Sequence, residues 1–227
     1  MSHWTTFILG CLVLCAAARA DPPMSRHQAQ SAWAAEGLQP IEAQGLDLVY
    51  AKPGADLSAY RKVLLRPVSV SFMRDWEKQS SAGTRARVSA AAAQRTRDRV
   101  AVLVHDEVVR ELDAGGYDCV DGVGEDVLEL DLSIVNLQVN SPDVTAPGRA
   151  ATYGVSTGEM TLVAGLRKAA TGEVVVRAFD RWRARESAFA QPITSVDNAF
   201  DARAAAARWA RALRGVLDVA RQARARS

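Results

Sequence analysis

Apolar and polar residues alternate along two neighbouring stretches of this chain. Residues 158–168 read GEMTLVAGLRK, with Met160, Leu162, Ala164 and Leu166 on one side and Glu159, Thr161 and Arg167 on the other. A period of two is that of a strand with one face buried. Residues 173–184 read EVVVRAFDRWRA. The link between them, Ala169-Ala170-Thr171-Gly172, ends in the residue that reaches positive φ at least steric cost. A β-hairpin is therefore predicted. Upstream, residues 127–139 read VLELDLSIVNLQV, where Leu128, Leu130, Leu132 and Ile134 alternate with Glu129, Asp131 and Ser133. Parity changes towards Leu137 and Val139, which predicts a bulge near Val135. Three shorter strands precede this meander. Leu46, Leu48 and Tyr50 define one; KVLLRPVSVSF over 62–72 is another; residues 117–120 form the last. Pro67 cannot donate to a ladder, so it marks an edge or a bulge in the second.

Twice the period lengthens to that of a helix. In 84–114, Val100, Val104, Val108 and Leu112 recur every four residues, and Gly115-Gly116 supplies the stop. After a turn at 192–197, with Ser195, Asp197 and Asn198 as candidate caps, a last helix runs to about residue 221. It carries Trp209, Leu213, Val216 and Leu217 on one face. The expected fold is α+β: a mostly antiparallel β-sheet with two long helices packed on one face, over residues 45–223. Residues 140–156 are long for a connection within a meander and read as a mobile loop.

The ends bear on location. Residues 7–18 read FILGCLVLCAAA, the length of a signal-peptide apolar region and too short to span a bilayer. Ala18 and Ala20 frame a cleavage site, although no Lys or Arg precedes the apolar run. Residues 1–20 are thus expected to direct export to the periplasm. Residues 21–44, polar and Ala-rich with three prolines, are expected to be a flexible tether from which Trp33 docks on the domain. The alternative is an outer-membrane lipoprotein anchored through Cys15 or Cys11. Leu14 ahead of Cys15, and the short apolar run ahead of Cys11, disfavour it.

Composition excludes more than it assigns. The chain has 227 residues, 48% of them apolar, enough for one domain with a real core. Lys and Arg number 28 against 26 Asp and Glu, a net charge of +2 with no concentrated basic run, so nucleic acid is not an expected partner. Cys119 is the one cysteine beyond the leader and reads as a small buried hydrophobe in a strand.

No catalytic motif stands out. The histidines are His3, His27 and His105, and only His105 lies in the expected domain. A hydrolase or small-ligand-binding protein using a pocket near His105 is the alternative to a non-enzymatic protein. There is no G-x-S-x-G, no His or Cys pair at metal-ligand spacing, and no phosphate-binding glycine pattern. No cofactor is expected. Arg177, Arg181 and Arg183 share a strand face with Phe179, a row that can hold carboxylates or phosphates. The competing reading pairs that row with Glu159, Glu129 and Asp131 across strands.

Four segments in order carry a resemblance: GLDLVYAKPGADLSAYRKVLLRPV (45–68), GEDVLELDLSIVNL (124–137), ATGEVVVRAFD (170–180) and RWARALRGVLD (208–218). With them the chain resembles an uncharacterised, domain-of-unknown-function family of bacterial exported proteins, many of them candidate lipoproteins. The resemblance implies an α+β domain in the cell envelope and brings no catalytic residues with it. The domain plan is similar to that of envelope assembly lipoproteins. The expectation is a non-enzymatic envelope binding or assembly module, its partner an envelope protein or an anionic envelope component.

Overall fold

The alternation at 158–168 and 173–184 folds as predicted. A computed structural model describes residues 24–76, 89–139, 152–154, 158–184, 191–193 and 195–225. The elements in chain order are α1 (Arg26–Ala35), β1 (Gln39–Ile41), β2 (Leu48–Ala51), β3 (Lys62–Leu65), β4 (Ser69–Phe72), α2 (Ala90–Ala114), β5 (Asp118–Cys119), β6 (Val127–Val139), β7 (Thr152–Gly154), β8 (Gly158–Lys168), β9 (Val174–Arg183), β10 (Gln191–Ile193) and α3 (Ser195–Ala225). Strand order in the main sheet is β1-β2-β9-β8-β6-β3-β5, with β4 also on β6.

The meander β6-β8-β9 is the antiparallel centre of this sheet. Gly172 closes the β8-β9 hairpin at φ 71°. The predicted bulge is present: the β6-β8 register shifts between Val135 and Gln138, and Asn136 takes φ 55°. It returns Leu137 to the face of Ile134, which is how a parity change keeps both residues in one core. The stretch 62–72 is broken at 66–68, around Pro67. Its halves, β3 and β4, each run parallel to β6, and β5 runs parallel to β3. The sheet is therefore mixed, mostly but not wholly antiparallel.

Helices α2 and α3 cover one face. Val100, Val104, Val108 and Leu112 from α2 join Ala205, Trp209, Ala210 and Leu217 from α3 over Leu128, Leu132, Leu162 and Ala178. Ion pairs join the two helices at Glu107–Arg203 (3.6 Å) and Glu111–Arg214 (2.6 Å). Beyond the end of α2, the Tyr117 hydroxyl donates to Asp218 at 3.0 Å. The pairs rise together, so the helices run side by side in the same direction. Ser89 caps α2 by accepting from the Ala92 N–H, and Gly116 at φ 74° ends it beyond Gly115. Residues 84–88 of the predicted helix lie outside the described residues, and α3 begins at Ser195, ahead of the candidate caps Asp197 and Asn198.

The opposite face corrects the expectation of a sheet buried on one side and of a tether at 21–44. Residues 26–35 are helical, opened by a reciprocal capping box between Ser25 and Gln28. Ala29 and Trp33 sit a turn apart and are both buried against the sheet. Trp33 meets Tyr50 edge-on at 5.7 Å between ring centres. Leu38, Leu48, Val135, Val163 and Phe179 complete this second cluster. Docking of Trp33 on its own domain is as expected. Helix α1 and strand β1 extend the folded unit towards the N-terminus because one aromatic side chain supplies enough buried area to order a short helix. The leader at 1–20, with Ala18 and Ala20, lies outside the described residues, as do Cys11 and Cys15. Within 140–156 the described part, β7, is a strand paired with β10, which also corrects the turn expected to begin at Pro192.

Candidate functional site

A cleft lies where β6 and β9 end and β8 begins, beside the N-terminal halves of α2 and α3. Its volume is about 110 Å³. Val100 and Leu103 of α2, Leu137 of β6, Met160 of β8, Trp182 of β9 and Ala202 of α3 form its apolar wall. Gly158, at φ 145°, lets the start of β8 pass so close to β6 that an added Cβ would stand 2.0 Å from the Gln138 carbonyl oxygen. Arg99, Glu159 and Asp201 bring charge to the lining.

Two polar features frame this cleft. The Trp182 ring lies beneath the Arg208 guanidinium, 5.7 Å from its centre. Its Nε1 is buried and has no acceptor. On the helix-facing side of the same strand, Asp180 is fully buried. It accepts from the Trp209 Nε1 at 2.7 Å, from Arg208 at 3.1 Å and from the Asp47 N–H at 3.0 Å. The Arg181 N–H returns a bond to the Asp47 carboxylate at 3.2 Å. Burial pushes the Asp180 carboxyl above its ordinary value, while the Trp209 hydrogen bond and the Arg208 charge pull the other way. Asp180 thus ties α3, β9 and the entry to β2 together. Its signal was in the sequence: it holds the apolar parity of Val176, Ala178 and Trp182 and is the one charged residue among them.

The arginine row resolves into ion pairs. Arg181 donates twice to Glu159, at 2.7 and 2.8 Å, and Arg183 donates to the same carboxylate at 3.2 Å. Arg177 reaches Glu36, just past α1, at 3.4 Å and lies over Gly165. Glu129 and Asp131, expected as partners of the row, pair with Arg167 instead, at 3.8 and 3.6 Å. Phe179 shares the face of the row, yet it is buried in the cluster with Trp33. Of the four residues of the candidate anion site, Arg181 and Arg183 therefore meet on one carboxylate, and Phe179 presents no surface for stacking.

The alternative reading, a pocket near His105, is not favoured by where that residue stands. It is exposed on α2, 3.2 Å from the still more exposed Asp106 carboxylate, and it does not line the cleft. Cys119 is exposed rather than buried. Partial desolvation of its sulfur, followed by the neighbouring Asp113 and Asp118, pushes the thiol up to about 11, so it is protonated at neutral pH. Among the described residues no cluster of His, Cys, Asp and Glu could hold a metal ion, and no helix is long and apolar enough to cross a membrane.

The family model for a protein of unknown function, DUF3313, matches residues 29–213. The chain belongs to this family. The DUF3313 match begins inside α1, in keeping with that helix being part of the domain. No curated protein matches. Among solved structures, protein XCC0632 from Xanthomonas campestris, assigned to DUF330, is 16% identical and covers 78% of this chain and 94% of its own, with a TM-score of 0.44. The PelC dodecamer from Paraburkholderia phytofirmans is 13% identical over 74% of this chain and 96% of its own, at 0.36. A candidate lipoprotein from Caulobacter crescentus CB15 is 14% identical over 76% and 95%, at 0.34. Likeness at this level says nothing about function.

Proposed function

We propose that this DUF3313 protein is a non-enzymatic binding or assembly module of the cell envelope, with the cleft as its binding face. The observation that supports this is a division of labour among the described side chains. The groups able to do bond chemistry are committed or unactivated: His105 stands in solvent, the Cys119 thiol is protonated, and Asp180 takes three donors. The concave surface, by contrast, is mostly apolar, with Val100, Leu103, Leu137, Met160, Trp182 and Ala202 in its wall. Export is supported by the apolar run at 7–18 and by Ala18 and Ala20, so the protein works as a soluble periplasmic chain beginning at Asp21.

Two measurements test the proposal. Intact mass from an envelope fraction is expected to match residues 21–227; an acylated cysteine terminus, or Met1 retained in a cytosolic fraction, overturns the location. A photo-crosslinking residue at Ala199, which is exposed and lines the cleft, is expected to give adducts in the native envelope that the same residue at His105 does not. Equal labelling at both positions overturns the assignment of the binding face.

A further inference from the structure

The loop between β5 and β6 holds two adjacent residues that the fold leaves open to chemistry. The Val120 N–H closes β5 by donating to the Val63 carbonyl at 3.0 Å, and the Val127 N–H opens β6 by donating to the Gly124 carbonyl at 3.3 Å. Between them Asp121, Gly122 and Val123 are exposed. Among the described residues nothing pairs with the Asp121 carboxylate, and no acceptor takes the Gly122 N–H. A Cβ added at Gly122 would meet nothing within 4 Å, so neither a side chain nor a neighbour screens that nitrogen. Residues 121–122 are also the one Asp-Gly step in the sequence.

An aspartyl carboxyl can reach the backbone nitrogen of the next residue only if the backbone between them turns to bring it there, and glycine permits the widest range of such turns. Elsewhere the fold prevents this. Asp126 is held by Lys62 at 2.8 Å, and the N–H that follows it is the one bonded to Gly124. The N–H after Asp180 donates to Asp47. Asp98 lies inside α2 and accepts from Gln94 at 2.7 Å. An amide committed to a helix, a sheet or a carboxylate would have to give up its bond to react. Gly122 has none to give up.

We propose that Asp121 and Gly122 form a site of spontaneous covalent modification, where the folded chain converts aspartate to isoaspartate through a succinimide. The Gly122 nitrogen attacks the protonated Asp121 carboxyl at Cγ. The N–Cγ bond forms, the amide proton passes to solvent, and the carboxyl hydroxyl leaves with a proton as water. Water then opens the five-membered ring. Opening at Cγ restores aspartate. Opening at the main-chain carbonyl leaves the chain running through Cγ, with a free α-carboxylate. One water leaves and one returns, so the product keeps its mass and charge and needs no other reactant. The extra backbone carbon falls in the loop. At about 3.3 Å per residue, the 13 residues of β6 put roughly 40 Å between this loop and the cleft, so the binding face is left as it is.

The test ages the full chain for weeks in mildly acid buffer, folded and in guanidinium, and then cuts it after glutamate. Residues 112–125 come away as one peptide that holds Asp113, Asp118 and Asp121. Fragmentation of this peptide locates isoaspartate, and an isoaspartyl methyltransferase measures it. Isoaspartate is expected to build up at 121 and not at 113 or 118, at a rate in the folded chain comparable with that in the unfolded one. Gly122→Ala, which the surrounding space admits, is expected to slow it severalfold in the folded chain. Asp121→Glu is expected to abolish it at 121. Both variants are expected to keep the wild-type melting midpoint, since neither residue is packed. Absence of isoaspartate at 121, or equal amounts at all three aspartates, overturns the proposal. So does a folded chain that stays unmodified while the unfolded one converts, because the native loop then protects the pair. Wild-type rates in Gly122→Ala overturn the part assigned to glycine.

Discussion

The bond from Trp209 to Asp180 can be weighed on its own. Trp209 is 1% exposed and Asp180 0%, and 2.7 Å separates Nε1 from Oδ2. Trp209→Phe keeps most of the ring in place and deletes the donor. Hydrogen bonds to charged groups contribute about 1.5–3 kcal/mol, and the smaller ring adds a loss of roughly 1 kcal/mol from imperfect packing. Trp209→Phe should therefore cost about 2.5–4 kcal/mol, and Trp209→Ala at least the 3–5 kcal/mol typical of a buried aromatic. A double-mutant cycle with Asp180→Asn isolates the contact. Urea midpoints followed by circular dichroism are expected to give a coupling of about 1.5–3 kcal/mol. Burial raises the folded-state value of Asp180, so its protonated form favours folding. That contribution is complete below the unfolded value of about 3.9 and is lost as pH rises through the folded one. The Trp209 donor favours the ionised form, so the coupling should be larger on the alkaline side of this titration than on the acid side. Additive single mutants, with coupling below about 0.5 kcal/mol, would refute the claim that this contact holds α3 to the sheet.

Other outcomes follow from other parts of the fold. Glu173 is held at about 2 by Lys168 first and Lys52 next, so its contribution is present above the usual value of about 4.3 and fades as pH falls towards about 2. Glu173→Gln should flatten that acid limb in melting experiments across pH 2 to 5, and an unchanged limb would contradict the pairing. Gly158→Ala meets both a left-handed backbone and the Gln138 carbonyl, and should cost about 2 kcal/mol or more. Gly172→Ala, with open space around its Cβ, should cost only about 1 kcal/mol; equal urea midpoints for the two would be inconsistent with close strand approach at 158. Trp33→Ala should lower stability by about 3–5 kcal/mol. A wild-type midpoint would return residues 26–35 to the status of a tether.

The meander, its bulge and the two long helices were legible because each rests on a local period. Parity alone located the register shift between Val135 and Gln138, and a four-residue recurrence located α2. Helix α1 escaped because its apolar stripe is two residues, Ala29 and Trp33, in a polar stretch with three prolines nearby. Its start was nonetheless written as Ser-x-x-Gln at 25–28, a capping box. The parallel pairing of β3, β4 and β5 escaped for a different reason: strand direction depends on which partner a strand finds, and no single stretch encodes that. The arginine row was seen as a row, with Glu159 among its expected partners, but Arg177 pairs with Glu36, which belongs to the segment read as tether. The cleft had no local signature at all. It is assembled from separate elements, and residues as distant in sequence as Leu103, Trp182 and Ala202 meet there.

Docking of Trp33 sets a leash length. If the leader is removed after Ala20, residues 21–25 are all that separates the new terminus from the first turn of α1. At no more than about 3.6 Å each, they reach at most about 18 Å. The chain therefore starts from the sheet face opposite α2 and α3, on a short lead. Anything attached at that start stays near the Trp33 side, and the cleft, on the far side of the sheet, is left facing away from the point of attachment.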